Sequence, residues 1–282
     1  MHILLPPSEG KTAPSDGPTL DLTRLSFPEL TQARRKVLSK LIEVSGSDDA
    51  GRILKVGKRI LPEVAAQRNI LDMPCAPACE VYTGVLYQAA RLRADDRVII
   101  FSGLFGITTA ADLIPTYRLS MNVTLPGIGS LRQFWRHELA KAGHNEAHSS
   151  NDSKDSKESN AIAQVDSDET PQPTVDMRSG AYQVTAPQGQ WWSMRVVDSH
   201  GNVITHAAKH YRGLLTRALL DAEHSAHSER SDSWSKEACN ALCNAERTPE
   251  CIDVEQVARS LGRIEVTHDG RRHCITLLPE SA

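Results

Sequence analysis

Aromatic side chains are scarce in this sequence, 5% of 282 residues, so a core of any size must be mainly aliphatic. No stretch approaches the roughly 18 consecutive apolar residues that a membrane-spanning helix needs. Neither sign of charge dominates, the formal net charge being −3, so the chain as a whole is no polycation. Cysteines are few: Cys75, Cys79, Cys239, Cys243, Cys251 and Cys274. Two Cys-x3-Cys pairs invite a zinc reading, but matching partner ligands are missing. Reduced thiols of a cytosolic protein are the simpler reading, and no metal and no cofactor are expected. The opening Met1-His2-Ile3-Leu4-Leu5-Pro6-Pro7 lacks the basic start and the length of a signal peptide, so a cytoplasmic location is expected.

What is present is a globular composition, 40% hydrophobic and 24% charged. The length fits one large domain or two small ones. Charge is distributed unevenly. Residues 144–175 carry seven acids and two bases, a net of −5, which leaves +2 for the rest. This segment is Ser, Asn, Asp, Glu and Lys with almost no large apolar residue. Such a composition cannot offset its ordering entropy and reads as a disordered insertion within one domain spanning 1–282. Strand-like sequence resumes at 174–177.

Local patterns predict a short buried strand at 2–5, ended by Pro6-Pro7. Helices are expected from Pro28 to about Val44, over 49–70 and over 80–92. Arg97 to Phe101 is the clearest buried strand, and 116–121 reads as another. Ser130 is placed to cap a helix to about Ala142. A hairpin is expected over 190–206, then helices at 207–223, 236–246 and 253–261. A closing hairpin, 263–267 with 273–278, turns at Asp269-Gly270. Alternating strands and helices make the fold class α/β, or mixed α+β, with one mixed sheet and flanking helices.

Several segments carry candidate chemistry. Ser8-Glu9-Gly10-Lys11-Thr12 follows a strand and ends in Gly-Lys-Thr, as a P-loop does. The position five before Gly10 is Leu5 rather than Gly, however, and Pro6 and Pro7 have no N–H to offer a phosphate. Ser8, Glu9 and Lys11 nevertheless lie where α/β sheets gather ligand groups. Ser102-Gly103-Leu104-Phe105-Gly106 follows the best strand and offers a hydroxyl and close backbone approach; the plain alternative is a tight turn. Leu125-Pro126-Gly127-Ile128-Gly129 resembles the hairpin of a DNA-binding helix-hairpin-helix element, but the sequence before it looks extended. Lys209 and Arg212 share a helix face with Arg217 nearby, either holding a phosphate or remaining solvated charge. His206 and His210 share a face without a third ligand.

Taken in order, these landmarks resemble the YaaA peroxide-stress family. The resemblance runs through His2–Thr12, Tyr82-Thr83-Gly84-Val85-Leu86-Tyr87-Gln88-Ala89 and Ile100–Gly106. It continues in Asp112–Met121, Gln133-Phe134-Trp135 and Lys209-x-Tyr211-Arg212-Gly213. The chain departs from the family at Pro7-Ser8-Glu9-Gly10. It departs again at Asp176–Tyr182, where an Asn and a Glu of the family's Asn-x-Ala-Ser-Asn-Glu-Tyr are missing. The resemblance implies protection against hydrogen peroxide, a link to limiting free intracellular iron, and a basic cleft suited to DNA. It implies no established reaction.

Three functions compete. The first is a DNA-binding stress protein, a monomer, whose cleft gathers Ser8, Lys11, Thr12, Gly103, Arg118, Lys209 and Arg212 around DNA or a phosphate-bearing small molecule. The second is an enzyme on a nucleoside or nucleotide. It would use Glu9 as acid/base, Lys11 and Arg212 as phosphate partners, and Ser102 or Tyr117 for positioning. The third, a metal-buffering protein, has the least in the sequence to recommend it.

Overall fold

Three consecutive aliphatic residues, Ile3-Leu4-Leu5, form the centre of the molecule in the computed structural model, which describes residues 1–143, 173–187, 189–232 and 252–279. They belong to β1 (His2–Leu5), and Ile3 and Leu5 are fully buried. A strand buried on both faces needs a continuous apolar run rather than alternation, and this one has it. Helices α1 (Thr31–Ser45) and α2 (Val85–Ala90) lie in the crossover to β2 (Val98–Ser102). The strand β3 (Gly106–Thr108) folds straight back on β2. After α3 (Leu131–Lys141) the chain returns to the sheet as β4 (Thr174–Asp176) and β5 (Trp191–Val196). Then come α4 (Thr205–Asp232), α5 (Val254–Arg259) and the hairpin β6 (Arg263–Asp269) and β7 (Arg272–Leu278).

The seven strands form one mixed sheet in the order β6-β7-β5-β4-β1-β2-β3. The five inner strands are parallel and the two edge strands antiparallel. Ile3 pairs with Val98 on one side of β1 and with Val175 on the other. The connection from β1 goes to one side, and β4 is later added on the other. The gap beyond the C-terminal ends of β1 and β4 is therefore a topological switch point, where open α/β sheets form their ligand crevices. The helix α4 packs across α2, β5 and α5, which makes the α/β architecture a single domain.

Several local expectations needed correction. The 49–70 stretch is four short pieces: Ala50–Ile53, Lys58–Ile60, Leu61–Ala66 and Gln67–Asn69. Lys55 adopts a left-handed φ of 57° between the first two. The 80–92 helix is interrupted at 82–84. Residues 116–121 form no strand: the Arg118 amide donates to the Gln67 side chain instead of to a neighbouring strand. The 190–206 hairpin reduces to β5 and one bridge, Val197 with Val203. The Asp198 carboxylate accepts from the His200 and Asn202 amides at 2.8 and 2.9 Å to hold that turn. Residues 124–130 do form a small hairpin before α3, with φ of 75° at Gly127 and 87° at Gly129. Residues 115–123 before it contain no helix, so the two-helix frame of a helix-hairpin-helix element is missing. Of the expected insertion over 144–175, residues 144–172 lie outside the described residues, while Thr174 and Val175 belong to β4. The expected helix over 236–246 also lies outside them.

Candidate functional site

The loop after β1 is stitched to the segment that starts α2. The Gly84 amide donates to Ser8 Oγ at 2.8 Å, the Thr83 amide to the Gly10 carbonyl at 3.0 Å, and the Thr12 amide to the Val81 carbonyl at 3.0 Å. Tyr87 donates its phenol to the Pro6 carbonyl at 2.8 Å. Gly84 is required for this, since a Cβ there would collide with Ser8 Oγ. The Gly-Lys-Thr segment thus runs extended beside 81–84 and makes no phosphate cradle, which agrees with the missing P-loop glycine.

Above this loop opens a cleft of about 1030 Å³. Ser8, Glu9, Lys11, Arg118, Lys209 and Arg212 all line it, together with Lys55 and Tyr182. Loops after β1 and β4 supply one part of its wall, as at a switch point, and α4 supplies a second. Gly213 sets the closeness of that second wall: with no Cβ, it lets α4 approach the Leu86 carbonyl and Ala89 of α2.

Lys11 is the most unusual cation. Its ammonium lies 4.6 Å from the centroid of the Tyr117 ring and 5.4 Å from that of Tyr82, and it donates to the Ser8 carbonyl at 2.5 Å. No carboxylate pairs with it among the described residues. Burial, reinforced by nearby Arg118, pushes its pKa down to about 7, with Glu9 opposing the shift. Arg118 is held firmly, donating to Glu63 at 2.7 Å and to the Glu9 carbonyl. Arg212 donates to the Met194 carbonyl at 3.1 Å, while its buried Nε has no partner among the described residues. Burial lowers its pKa against the pull of Asp176. Lys55 donates to the Asn122 carbonyl at 2.8 Å. Lys11, Lys55, Lys209 and Arg212 thus converge without an ion-pair partner among the described residues. The Glu9 carboxylate lies at the same cleft without an ion pair of its own there.

Other expected site residues sit behind the cleft. Ser102 is fully buried, and its oxygen accepts from the Leu104 and Phe105 amides at 3.1 and 3.0 Å. With both lone pairs engaged, its proton goes to the Tyr117 hydroxyl, 2.8 Å away. Tyr117 also shares a 2.7 Å hydrogen bond with Tyr82. Burial raises both phenols well above their ordinary pKa, so they stay protonated. Gly103 serves the turn: a Cβ would lie 2.5 Å from the Leu119 carbonyl, and its own carbonyl accepts from Trp135 Nε1 at 2.9 Å. Thr12 is exposed outside the cleft, 3.3 Å from the Thr83 hydroxyl. Tyr117 reaches the site only through its ring face beneath Lys11.

Sequence reasoning did not find Tyr82, Tyr182 or the pair that shapes the β4 end. There Arg178 is almost fully buried, binds Asp176 through two bonds of 2.8 and 2.9 Å and lies 4.2 Å from the Phe101 ring. The departure from the family pattern over Asp176–Tyr182 was the available signal, since Asp176 stands in place of the pattern's Asn and Arg178 in place of its Ala. Of the described cysteines, Cys75 is pushed up to about 11 by burial, and Cys79 is also raised. Both are thiols near neutral pH, which suits neither for attack on a peroxide. Among the described residues no helix is long and apolar enough to cross a membrane.

The sequence profile of the family described as Peroxide stress protein YaaA matches residues 1–233. A UPF0246 protein of Streptomyces coelicolor is 34% identical over 237 residues, covering 78% of this chain and 83% of that protein. A UPF0246 protein of Corynebacterium efficiens is 33% identical over 293 aligned positions, covering 99% and 100%. An uncharacterized protein of Campylobacter jejuni is 25% identical over 227 residues, covering 76% and 82%.

Proposed function

This chain belongs to the YaaA peroxide-stress protein family, and from that premise we propose that it protects against peroxide by binding DNA in its basic cleft. The observation that carries the reading is the convergence of Lys11, Lys55, Lys209 and Arg212 on one cleft, without carboxylate partners among the described residues. Lys11 and Arg212 are partly buried and therefore costly to leave unpaired unless an anion completes them, while Lys55 and Lys209 add exposed charge at the same cleft. The four are spread over the β1 loop, the segment after the first short helix and α4. A footprint of that spread suits a run of phosphates better than a single one. In this reading the protein works in the cytoplasm as a monomer. Its action on DNA belongs to the same response that limits free intracellular iron.

Binding of a fluorescent duplex, followed by anisotropy against salt, tests it. Four phosphate contacts should weaken affinity roughly 100-fold between 50 and 200 mM salt. Arg212→Ala should cost about 1.5–3 kcal/mol and Arg212→Lys should recover part of it, because a point charge cannot replace a fork. A duplex affinity indifferent to Arg212 and to salt would refute the reading. The Glu9 carboxylate beside Lys11 favours a second reading, an enzyme on a nucleotide. That would show binding of a mononucleotide with weak salt dependence.

A further inference from the structure

Lys11 has surroundings that phosphate binding alone does not call for. An amine meant only to attract phosphate does best exposed and fully charged, as a strongly hydrated point charge. This one is packed over two tyrosine rings, hydrogen-bonded to a backbone carbonyl, unpaired by any carboxylate among the described residues and next to a second cation. Those are the surroundings that make a lysine a nucleophile: desolvation and a cationic neighbour favour the neutral amine. The neighbours complete a reaction centre. Glu9, two residues along the same loop, acts electrostatically on Lys11 and lines the same cleft. Lys209 and Arg212 face it from α4 and are suited to a departing phosphate.

We propose that Lys11 is an imine-forming nucleophile that attacks the aldehyde of an abasic site in DNA, with Glu9 as the base of the strand cleavage that follows. The inference rests on the DNA-binding reading above and adds to it a reaction and a substrate. The neutral Lys11 amine adds to C1′ of the ring-opened deoxyribose. The C1′ oxygen takes up protons and leaves as water, forming an iminium. The Glu9 carboxylate removes a C2′ proton, and the freed electron pair is held as an enamine. That pair then forms the C2′=C3′ bond and expels the 3′-phosphate, which leaves with the C–O electrons beside Lys209 and Arg212. Water hydrolyses the remaining iminium, returning the amine and releasing an unsaturated aldehyde, and Glu9 gives up the C2′ proton to solvent, which restores its carboxylate. No electron is gained or lost overall, so no oxidant or reductant is required. The tyrosine phenols stay protonated throughout and serve as the dry floor under Lys11. Because the amine's pKa lies at about 7, imine formation should rise as pH passes through that value.

The test uses the full chain with two fluorescent duplexes of identical sequence, one intact and one carrying a single abasic site. Sodium borohydride reduces any imine to a stable amine, and the covalent adduct is read on a denaturing gel and mapped by mass spectrometry. An adduct formed with the abasic duplex alone, on Lys11, is expected. Lys11→Arg keeps the charge but cannot form the imine, and should lower the yield at least 100-fold. Glu9→Gln should still give the adduct while slowing strand cleavage at least 100-fold, the scale of a lost general base. Salt-sensitive binding of both duplexes with no adduct, or an adduct mapped to Lys55 or Lys209, overturns this proposal and leaves the DNA-binding reading intact. Failure to bind either duplex overturns that reading and the proposal with it.

Discussion

Gly213→Ala sets two effects of opposite sign against each other. Inside a helix, alanine is favoured over glycine by roughly 1 kcal/mol. An added methyl in a closely packed crossing costs about 1–3 kcal/mol. The structure decides which prevails. A Cβ at 213 would collide with the Leu86 carbonyl oxygen and lie 2.7 Å from the Ala89 Cβ and 3.1 Å from the Ala90 amide nitrogen. Two of those three atoms are backbone of α2 and cannot rotate away. The cost therefore lies near the upper end, and the net loss is about 1–2 kcal/mol. For a domain of this size that lowers Tm by roughly 2–8 °C. The helices must also separate, and α4 carries Lys209 and Arg212. Arg212 would shift from its 3.1 Å bond to the Met194 carbonyl, so duplex affinity should fall in the same variant. Thermal melting by circular dichroism and duplex anisotropy on one preparation read both effects. A Tm that is unchanged or raised by 2–4 °C would mean that propensity prevailed and that the helices are not locked by this glycine.

Three other substitutions probe the site and its support. Lys11→Met should raise Tm at pH 6 and much less at pH 9. The amine's pKa falls from 10.5 to about 7 on folding, so its cost is complete below pH 7 and is relieved as pH rises towards 10.5; equal gains at both pH values would refute this. Asp176→Asn should cost about 3–5 kcal/mol in urea denaturation by leaving Arg178 buried without its carboxylate, whereas Asp176→Leu combined with Arg178→Met should cost less than the single change. Tyr117→Phe removes the hydroxyl joining Ser102 to Tyr82 and should cost about 1–2 kcal/mol; duplex affinity should stay within about twofold, because the ring beneath Lys11 is kept.

Elements whose signals are local could be read from the residues alone. The buried run Ile3-Leu4-Leu5, the strand expected over 97–101 and found at Val98–Ser102, and the closing hairpin are written in contiguous residues, because a strand covered on both faces and a two-residue turn each demand particular neighbours. The turn itself falls one residue later than expected, at Gly270-Arg271, since Asp269 pairs with Arg272. The sequence also brought Glu9, Lys11, Lys209 and Arg212 together in expectation: Glu9 and Lys11 because groups just beyond parallel strand ends gather at one edge, Lys209 and Arg212 because they are cations on one helix face in a segment that resembles the family. It misread 116–121 for an equally physical reason. Tyr117, Leu119 and Met121 are buried in alternation, as in a strand, but periodicity records which side chains are covered and says nothing of what the backbone amides bond. Here the Arg118 amide bonds Gln67. Ser102 and Gly103 looked like ligand groups because a hydroxyl and a glycine after a strand suit a site and a tight turn alike. Only the Leu119 carbonyl and Trp135, brought from 16 and 32 residues away by the fold, made them a turn. The state of Lys11 was likewise decided by tertiary structure. Its low pKa comes from burial and from Arg118, and its amine lies over the rings of Tyr82 and Tyr117. Desolvation and charge proximity act through space, and no local spacing encodes contacts between residues 71 to 107 positions apart.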